Sequence, residues 1–305
     1  MLAFKDLQLS DKKMFDEYCG MWRIENSELS FPSLYIWRGS GMVQWAEEDG
    51  VLYIKIKWGV LEGPEHFYAL IPRCDQPLCG AMQKAVDYCR EERIPFVMRG
   101  VPQWLYEMIV RDCPDQYVIE EDRDNFDYVY RWEDLAELKG KKYHGKRNHI
   151  NKFLQEYSYE YLPLTPDLVG DCKEVYLKWM EEKSEEEPDP TLEAERMATW
   201  EALDHFEELS MVGGVIKVNG RVEAFSLGEF MKKPGWAVVH IEKANGEIPG
   251  LYPLINQQFV IHALRGAEFV NREEDMGLEG LRKAKLSYQP VEMVKKYVVT
   301  LKEDA

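Results

Sequence analysis

No run in this 305-residue chain approaches the ~18 consecutive apolar residues of a membrane span, and its opening, MLAFKDLQLSDKKMF, has no apolar core of signal-peptide length. The chain is therefore expected to be soluble and cytoplasmic, with no integral membrane segment. Signatures of metal and nucleophile chemistry are also missing. Six cysteines, Cys19, Cys74, Cys79, Cys89, Cys113 and Cys172, include no CxxC pair, so reduced thiols are expected rather than disulfides. His240 and His262 lack a partner at HExxH-type spacing and no GxSxG appears, which excludes the usual zinc and serine hydrolase patterns. No metal site is expected. Positive charge is scarce as well: 38 Lys and Arg against 55 Asp and Glu leave a formal charge of −17. That balance argues against DNA or other nonspecific nucleic-acid binding by the surface as a whole.

A length of 305 residues suggests two domains, at roughly 150 residues each. In the first half a helical spacing runs from Asp11 to Ile24, and the aromatic segment Ser27 to Arg38 is broken by Pro32. Such a segment covers a core or forms a ligand platform. A hairpin turns at Asp49-Gly50, and strands and helices then alternate to a last strand at Phe126 to Trp132. We place the boundary there, giving domains 1–132 and 133–305.

In the second half, helices are expected over Pro166 to Ser184 and Pro190 to Glu208, with Asp189 as N-cap and a solvated acidic run from Glu181 to Glu187. A hairpin follows at Asn219-Gly220. The stretch Val238 to Pro290 then reads as strand, Asn245 to Gly250 turn, helix, short strand, charged turn and helix, with a terminal strand from Val291 to Leu301. Two helix N-termini at one sheet edge favour anions. A second anion feature precedes them: Lys139 to Lys152 carries six cations and no acid. The run is a solvated basic helix face or a phosphate site, in which Arg147 supplies paired hydrogen bonds and Lys142 and Lys146 supply point charges.

This order of elements, α+β with two mixed sheets flanked by helices, resembles two tandem GNAT (Gcn5-related N-acetyltransferase) domains. SFPSLYIWR at Ser30 to Arg38, GKKYHGKRNHINKF at Gly140 to Phe153, HIEKAN at His240 to Asn245 and NREEDMGLEGLRKAKLSYQP at Asn271 to Pro290 are similar to the C-terminal domain family of phosphatidylglycerol lysyltransferase, with Fem-type aminoacyl transferases more distant. The resemblance implies attack of an amine or hydroxyl on an activated acyl carbonyl. No cofactor would be bound tightly; acyl-CoA or aminoacyl-tRNA is the implied phosphate-bearing co-substrate, and a lipid or cell-wall precursor is the implied class of acceptor. CoA-using acetyltransferases carry a Q/RxxGxG/A loop where this chain has KANGEIPG at Lys243 to Gly250.

Such chemistry needs a base, an oxyanion donor and a grip on phosphates. Glu242, just before the turn, is the candidate base, or else one half of a buried pair with Lys243, Arg272 or Lys285. Tyr288 is the candidate acid, or a core tyrosine. Asn245, Gly246, Gly250, Arg272, Arg282, Lys283 and Lys285 join Lys142, Lys146 and Arg147 as candidate donor and phosphate contacts. Glu273, Glu274 and Asp275 read as acids that complement a helix dipole. The alternative to a transferase is a catalytically silent module that holds a polyanionic ligand in the same cleft.

Overall fold

The computed structural model describes residues 2–58, 65–186 and 191–302; the expected N-cap Asp189, with Pro190 and Glu187, lies outside them. The chain runs β1 (Lys5–Asp6), α1 (Lys12–Trp22), α2 (Phe31–Trp37), β2 (Gly41–Glu48), β3 (Val51–Trp58), β4 (His66–Pro72), α3 (Cys79–Glu92), β5 (Val97–Pro102), α4 (Gln103–Asp112) and β6 (Tyr117–Glu121). It continues as β7 (Asp127–Arg131), α5 (Trp132–Glu137), α6 (His144–Glu156), β8 (Tyr159–Pro163), α7 (Val169–Glu186), α8 (Thr191–Asp204), β9 (Val212–Val218) and β10 (Arg221–Phe230). Last come β11 (Trp236–Ala244), α9 (Leu251–His262), β12 (Phe269–Asn271), α10 (Glu279–Leu286), β13 (Glu292–Val294) and β14 (Lys296–Leu301).

Local chemistry explains the punctuation. Both hairpins turn on two residues in the left-handed region, Asp49 and Gly50 (φ 51° and 72°) and Asn219 and Gly220 (φ 52° and 81°), which matches the twist of the flanking strands. The aromatic segment is helical despite Pro32. Ser30 caps α2 by accepting a hydrogen bond from Ser33 N at 3.2 Å, and proline in the first turn gives up an N–H that has no helical partner.

The strands form two sheets, ordered β1-β2-β3-β4-β5-β14-β6 and β13-β7-β12-β11-β10-β9-β8. Two expectations are corrected here. The strand at Asp127–Arg131 belongs to the second sheet, and the terminal strand is two strands, of which β14 lies in the first sheet between β5 and β6. A cut near Trp132 therefore does not separate the sheets, because the chain crosses between them twice. One apolar core lies under α3 and α4, another under α5, α6 and α9, and a third, shared core runs from Phe15 and Phe31 to Phe225 and Ile241.

At the two crossovers, Asp127 opens β7 and Lys296 opens β14. Lys296 Nζ lies 2.5 Å from Asp127 Oδ1, with both side chains wholly buried, and it also pairs with Glu28 and, at 3.5 Å, with Glu274. Asp127 Oδ2 accepts from Ser27 N (2.9 Å) and Asn271 Nδ2 (2.8 Å). Glu28, Asp127 and Glu274 are close enough to share a cation, and the lysine ammonium stands among them.

Removing one member of a buried pair strands the other charge. Lys296→Met should lower the unfolding free energy by about 3–5 kcal/mol, whereas the double variant Lys296→Met/Asp127→Asn should lose less than the sum of the singles. Urea unfolding of all three variants measures this.

Candidate functional site

In the second sheet β11 and β12 run parallel, paired at Trp236↔Phe269, Ala237↔Val270 and Val238↔Asn271. Beyond Val238 they part: β12 ends at Asn271, while β11 continues to Ala244. The opening at the carboxyl ends of parallel strands is where α/β sheets commonly bind ligands. A β-bulge marks the place. Leu227 pairs with Ile241 and Gly228 with Val239, so His240 is the extra residue. A Cβ on Gly228 would collide with the Val238 carbonyl oxygen, so glycine permits the bulge. The extra residue reverses the alternation of side chains: Ala237 and Val239 before it and Ala244 after it share one core. Glu242 is thereby turned towards α9.

Four of the expected residues converge here. Arg272 Nη2 donates to Glu242 Oε1 at 3.0 Å, and Asn256 Nδ2, from α9, donates to Glu242 Oε2 at 2.9 Å. The Arg272 guanidinium stands 4.7 Å from the centre of the Tyr288 ring, and Lys146 Nζ from α6 stands 3.9 Å from the same ring. Burial, reinforced by the Arg272 charge and opposed by Glu242, lowers the Lys146 ammonium to about 8. Burial pushes the Tyr288 phenol up to about 12, although Arg272 draws it down. Tyr288 therefore keeps its proton at neutral pH.

Two buried polar atoms around Glu242 have no hydrogen-bond partner among the described residues: Arg272 Nη1, a donor, and Asn256 Oδ1, an acceptor. The carboxylate only accepts, so it fixes the orientation of the Asn256 amide and leaves Oδ1 turned away. Asn256 is absent from the sequence-based candidates. Its signal is a buried polar side chain within the apolar helix Leu251–His262.

The other candidates are engaged elsewhere. Lys243 faces the opposite side, paired with Glu195 at 2.7 Å and lying over the Trp179 ring. Lys285 donates to the Arg272 carbonyl oxygen. Arg147 donates to the carbonyls of Leu138 and Gly140 (2.7 Å for the latter), so it fastens the entry to α6 rather than gripping phosphate. Arg282 is bound to Asp275 (2.9 Å) and Asp124 (2.7 Å), and Lys142 lies 3.3 Å from Asp134. Lys283 is exposed.

The Asn245 to Gly250 turn is a poor anion cradle. Asn245 Nδ2 donates to Glu223 at 2.9 Å, and a Cβ on Gly246 would stand 2.8 Å from Glu182 Oε2, so carboxylates flank it. Gly250, at φ 89°, packs against the His149 carbonyl and Phe153 of α6. The basic helix thus abuts the turn through its backbone and apolar side.

Each acid of the charged turn is also paired with a basic side chain. Glu273 pairs with His240 Nδ1 (2.8 Å), Glu274 with Lys296 (3.5 Å) and Asp275 with Arg282. Asp275 is buried and held well below the usual carboxylate range: burial raises it, but Arg282, Tyr128 and the Gly277 N–H outweigh that. His240 Nε2 reaches Glu229 Oε1 at 3.1 Å. Burial lowers the imidazole, but the two carboxylates prevail and raise it to about 10.

The family model described as phosphatidylglycerol lysyltransferase, C-terminal, matches residues 22–300. A crystal structure of a conserved protein of unknown function from Bacteroides thetaiotaomicron is 36% identical, covers 99% of this chain and 100% of its own, and superimposes with a TM-score of 0.90. L-PGS from Bacillus licheniformis is similar at 15% identity over 99% of this chain and 94% of its own, with a TM-score of 0.67. An uncharacterised protein of Mycoplasmoides gallisepticum is 25% identical over 198 residues, 62% of this chain and 60% of that relative's length. The paired sheets have the fold of tandem GNAT proteins, and no helix among the described residues is long and apolar enough to cross a membrane.

Because the His240 imidazole is raised in the folded state, its clamp contributes fully below about pH 6.5 and is lost as pH rises through about 10. The stability gap between wild type and His240→Gln should accordingly be widest between the range where the raised Glu273 carboxyl is protonated and pH 6.5, and close towards pH 10. A gap independent of pH, measured by urea midpoints, would contradict the clamp.

Proposed function

Because the chain belongs to the phosphatidylglycerol lysyltransferase C-terminal family, we propose that it transfers an α-aminoacyl group from an activated ester to an amine or hydroxyl acceptor. Aminoacyl-tRNA is the donor that carries such a group. One observation carries the choice of an aminoacyl over a plain acyl donor: a buried donor, Arg272 Nη1, and a buried acceptor, Asn256 Oδ1, stand on either side of Glu242 without partners among the described residues. An aminoacyl ester satisfies both, its carbonyl oxygen accepting from Arg272 Nη1 and its α-ammonium donating to Asn256 Oδ1. An acetyl group has nothing to donate to Asn256.

In this reading the acceptor's nitrogen or oxygen attacks the ester carbonyl carbon. Negative charge builds on the carbonyl oxygen, where Arg272 stabilises it. Lys146, in its neutral form, takes the proton from the nucleophile; a base with a pKa near 8 lies close to working pH. The bond to the ribose oxygen then breaks, and the leaving hydroxyl takes up that proton. Both Glu242 oxygens accept hydrogen bonds, so the role that suits it is to orient Arg272 and Asn256, in place of the base expected from sequence. Tyr288 supplies the ring against which Lys146 and Arg272 rest.

Exposed Lys283, together with Lys141 and Lys152 on the basic segment, supplies cations for the donor's phosphates. The acids beside Asn245 and Gly246 weigh against CoA pyrophosphate at that turn. The acceptor is assigned only as an amine or hydroxyl, a lipid headgroup being the class the family name suggests.

A stable amide analogue, 3′-aminoacylamino-3′-deoxyadenosine, separates the donor classes. At 100 times its dissociation constant it should stabilise the protein by about 2.7 kcal/mol, and acetyl-CoA at equal concentration should give no shift. The reverse pattern would sink the aminoacyl reading. In transfer assays with charged tRNA, Arg272→Lys should lower kcat by about 10²–10³-fold, the loss typical of one oxyanion donor.

A further inference from the structure

Arg272 owes its direction to an unusual piece of backbone. The next residue, Glu273, has φ 58°, a left-handed conformation that side chains other than glycine's adopt only under strain. This kink makes successive side chains diverge. Arg272 points to Glu242 and Tyr288, while Glu273 points to His240. The peptide on each side is tied down: Glu273 N donates to Asn271 Oδ1 at 2.7 Å, Arg272 N donates to the Tyr128 carbonyl at 2.9 Å, and Tyr128 N donates to the Glu273 carbonyl at 3.1 Å.

Besides the Lys285 ammonium, which donates to the Arg272 carbonyl oxygen, a further restraint is the side chain of Glu273 itself. It is held by an imidazole whose side chain is 1% exposed and whose other nitrogen is anchored on Glu229. That imidazole belongs to the extra residue of the β11 bulge, which Gly228 allows. We propose that His240 is a positioning residue: from behind the sheet it clamps Glu273 in its left-handed conformation and so aims the Arg272 guanidinium at the site. The role of the aimed group rests on the transferase reading; the aiming itself does not.

The consequence reaches Lys146. Its ammonium faces the Arg272 guanidinium, the Glu242 carboxylate and the Tyr288 phenol, and the nearby guanidinium helps to lower its pKa. Lys146 therefore reports where Arg272 stands without any turnover. The test is the titration midpoint of Lys146, followed by NMR on ¹³C-methylated protein, with Lys146→Arg identifying the signal.

Glu273→Ala removes the clamp and leaves a residue that resists positive φ, so the Lys146 midpoint should rise by about one unit or more as Arg272 moves away. Glu273→Gly also removes the clamp but takes the left-handed conformation freely, so its midpoint should stay near that of wild type. His240→Gln should behave like the alanine variant. Equal midpoints for alanine and glycine at position 273, or a folded His240→Gln with an unmoved midpoint, would overturn the proposal. If His240→Gln does not fold, the alanine and glycine contrast decides alone. A wild-type protein with no transfer activity would remove the transferase reading and leave this measurement intact.

Discussion

The ion pair between Lys296 and Asp127 is the constraint on which the remaining architecture rests. Each residue opens a strand that has just crossed from one sheet to the other, and neither side chain is exposed. A charge so buried is tolerated only when it is paired and hydrogen-bonded, so the crossovers have one geometry in which all their groups are satisfied. Through that junction β7 acquires its place in the second sheet. It pairs with β12 at Phe269↔Arg131, Val270↔Tyr130 and Asn271↔Val129, and β12 delivers Arg272. The first half thus reaches the site through hydrogen bonds and charge, with Ser27 and Glu28 touching the junction directly.

From there a line of buried polar contacts runs to the chemistry. Glu274 touches Lys296, Glu273 holds His240, and Arg272 meets Glu242 and Tyr288. Three consecutive residues serve three different partners because the backbone between them departs from strand geometry. Strain of this kind is commonly found at functional sites, and here it coincides with a bulge in the facing strand.

Much of this was legible in the residues. Periodicity and turn chemistry located both hairpins and most helices, though not α2 in the aromatic segment or α5 after Arg131, because those signals act over a few neighbours. HIEKAN and NREEDMGLEGLRKAKLSYQP marked the stretches that carry Glu242, Arg272 and Tyr288. What remained hidden depends on contacts that only the folded chain makes. Arg147, Arg282 and Lys142 read as free cations, yet each spends its charge on a carbonyl or carboxylate nearby in space. The exchange of β7 and β14 left no local mark, since a strand does not reveal which sheet it will join. Asn256 was overlooked because a single polar residue in an apolar helix looks like noise until Glu242 is seen opposite it.

The central claim is that Arg272 and Asn256 form a two-point receptor for an aminoacyl group, with Glu242 between them. A crystal structure with the 3′-aminoacylamino adenosine analogue bound tests it most directly. The account predicts the analogue's carbonyl oxygen within hydrogen-bonding distance of Arg272 Nη1 and its α-amine within reach of Asn256 Oδ1. An analogue seated elsewhere, with both atoms still without partners, would contradict it.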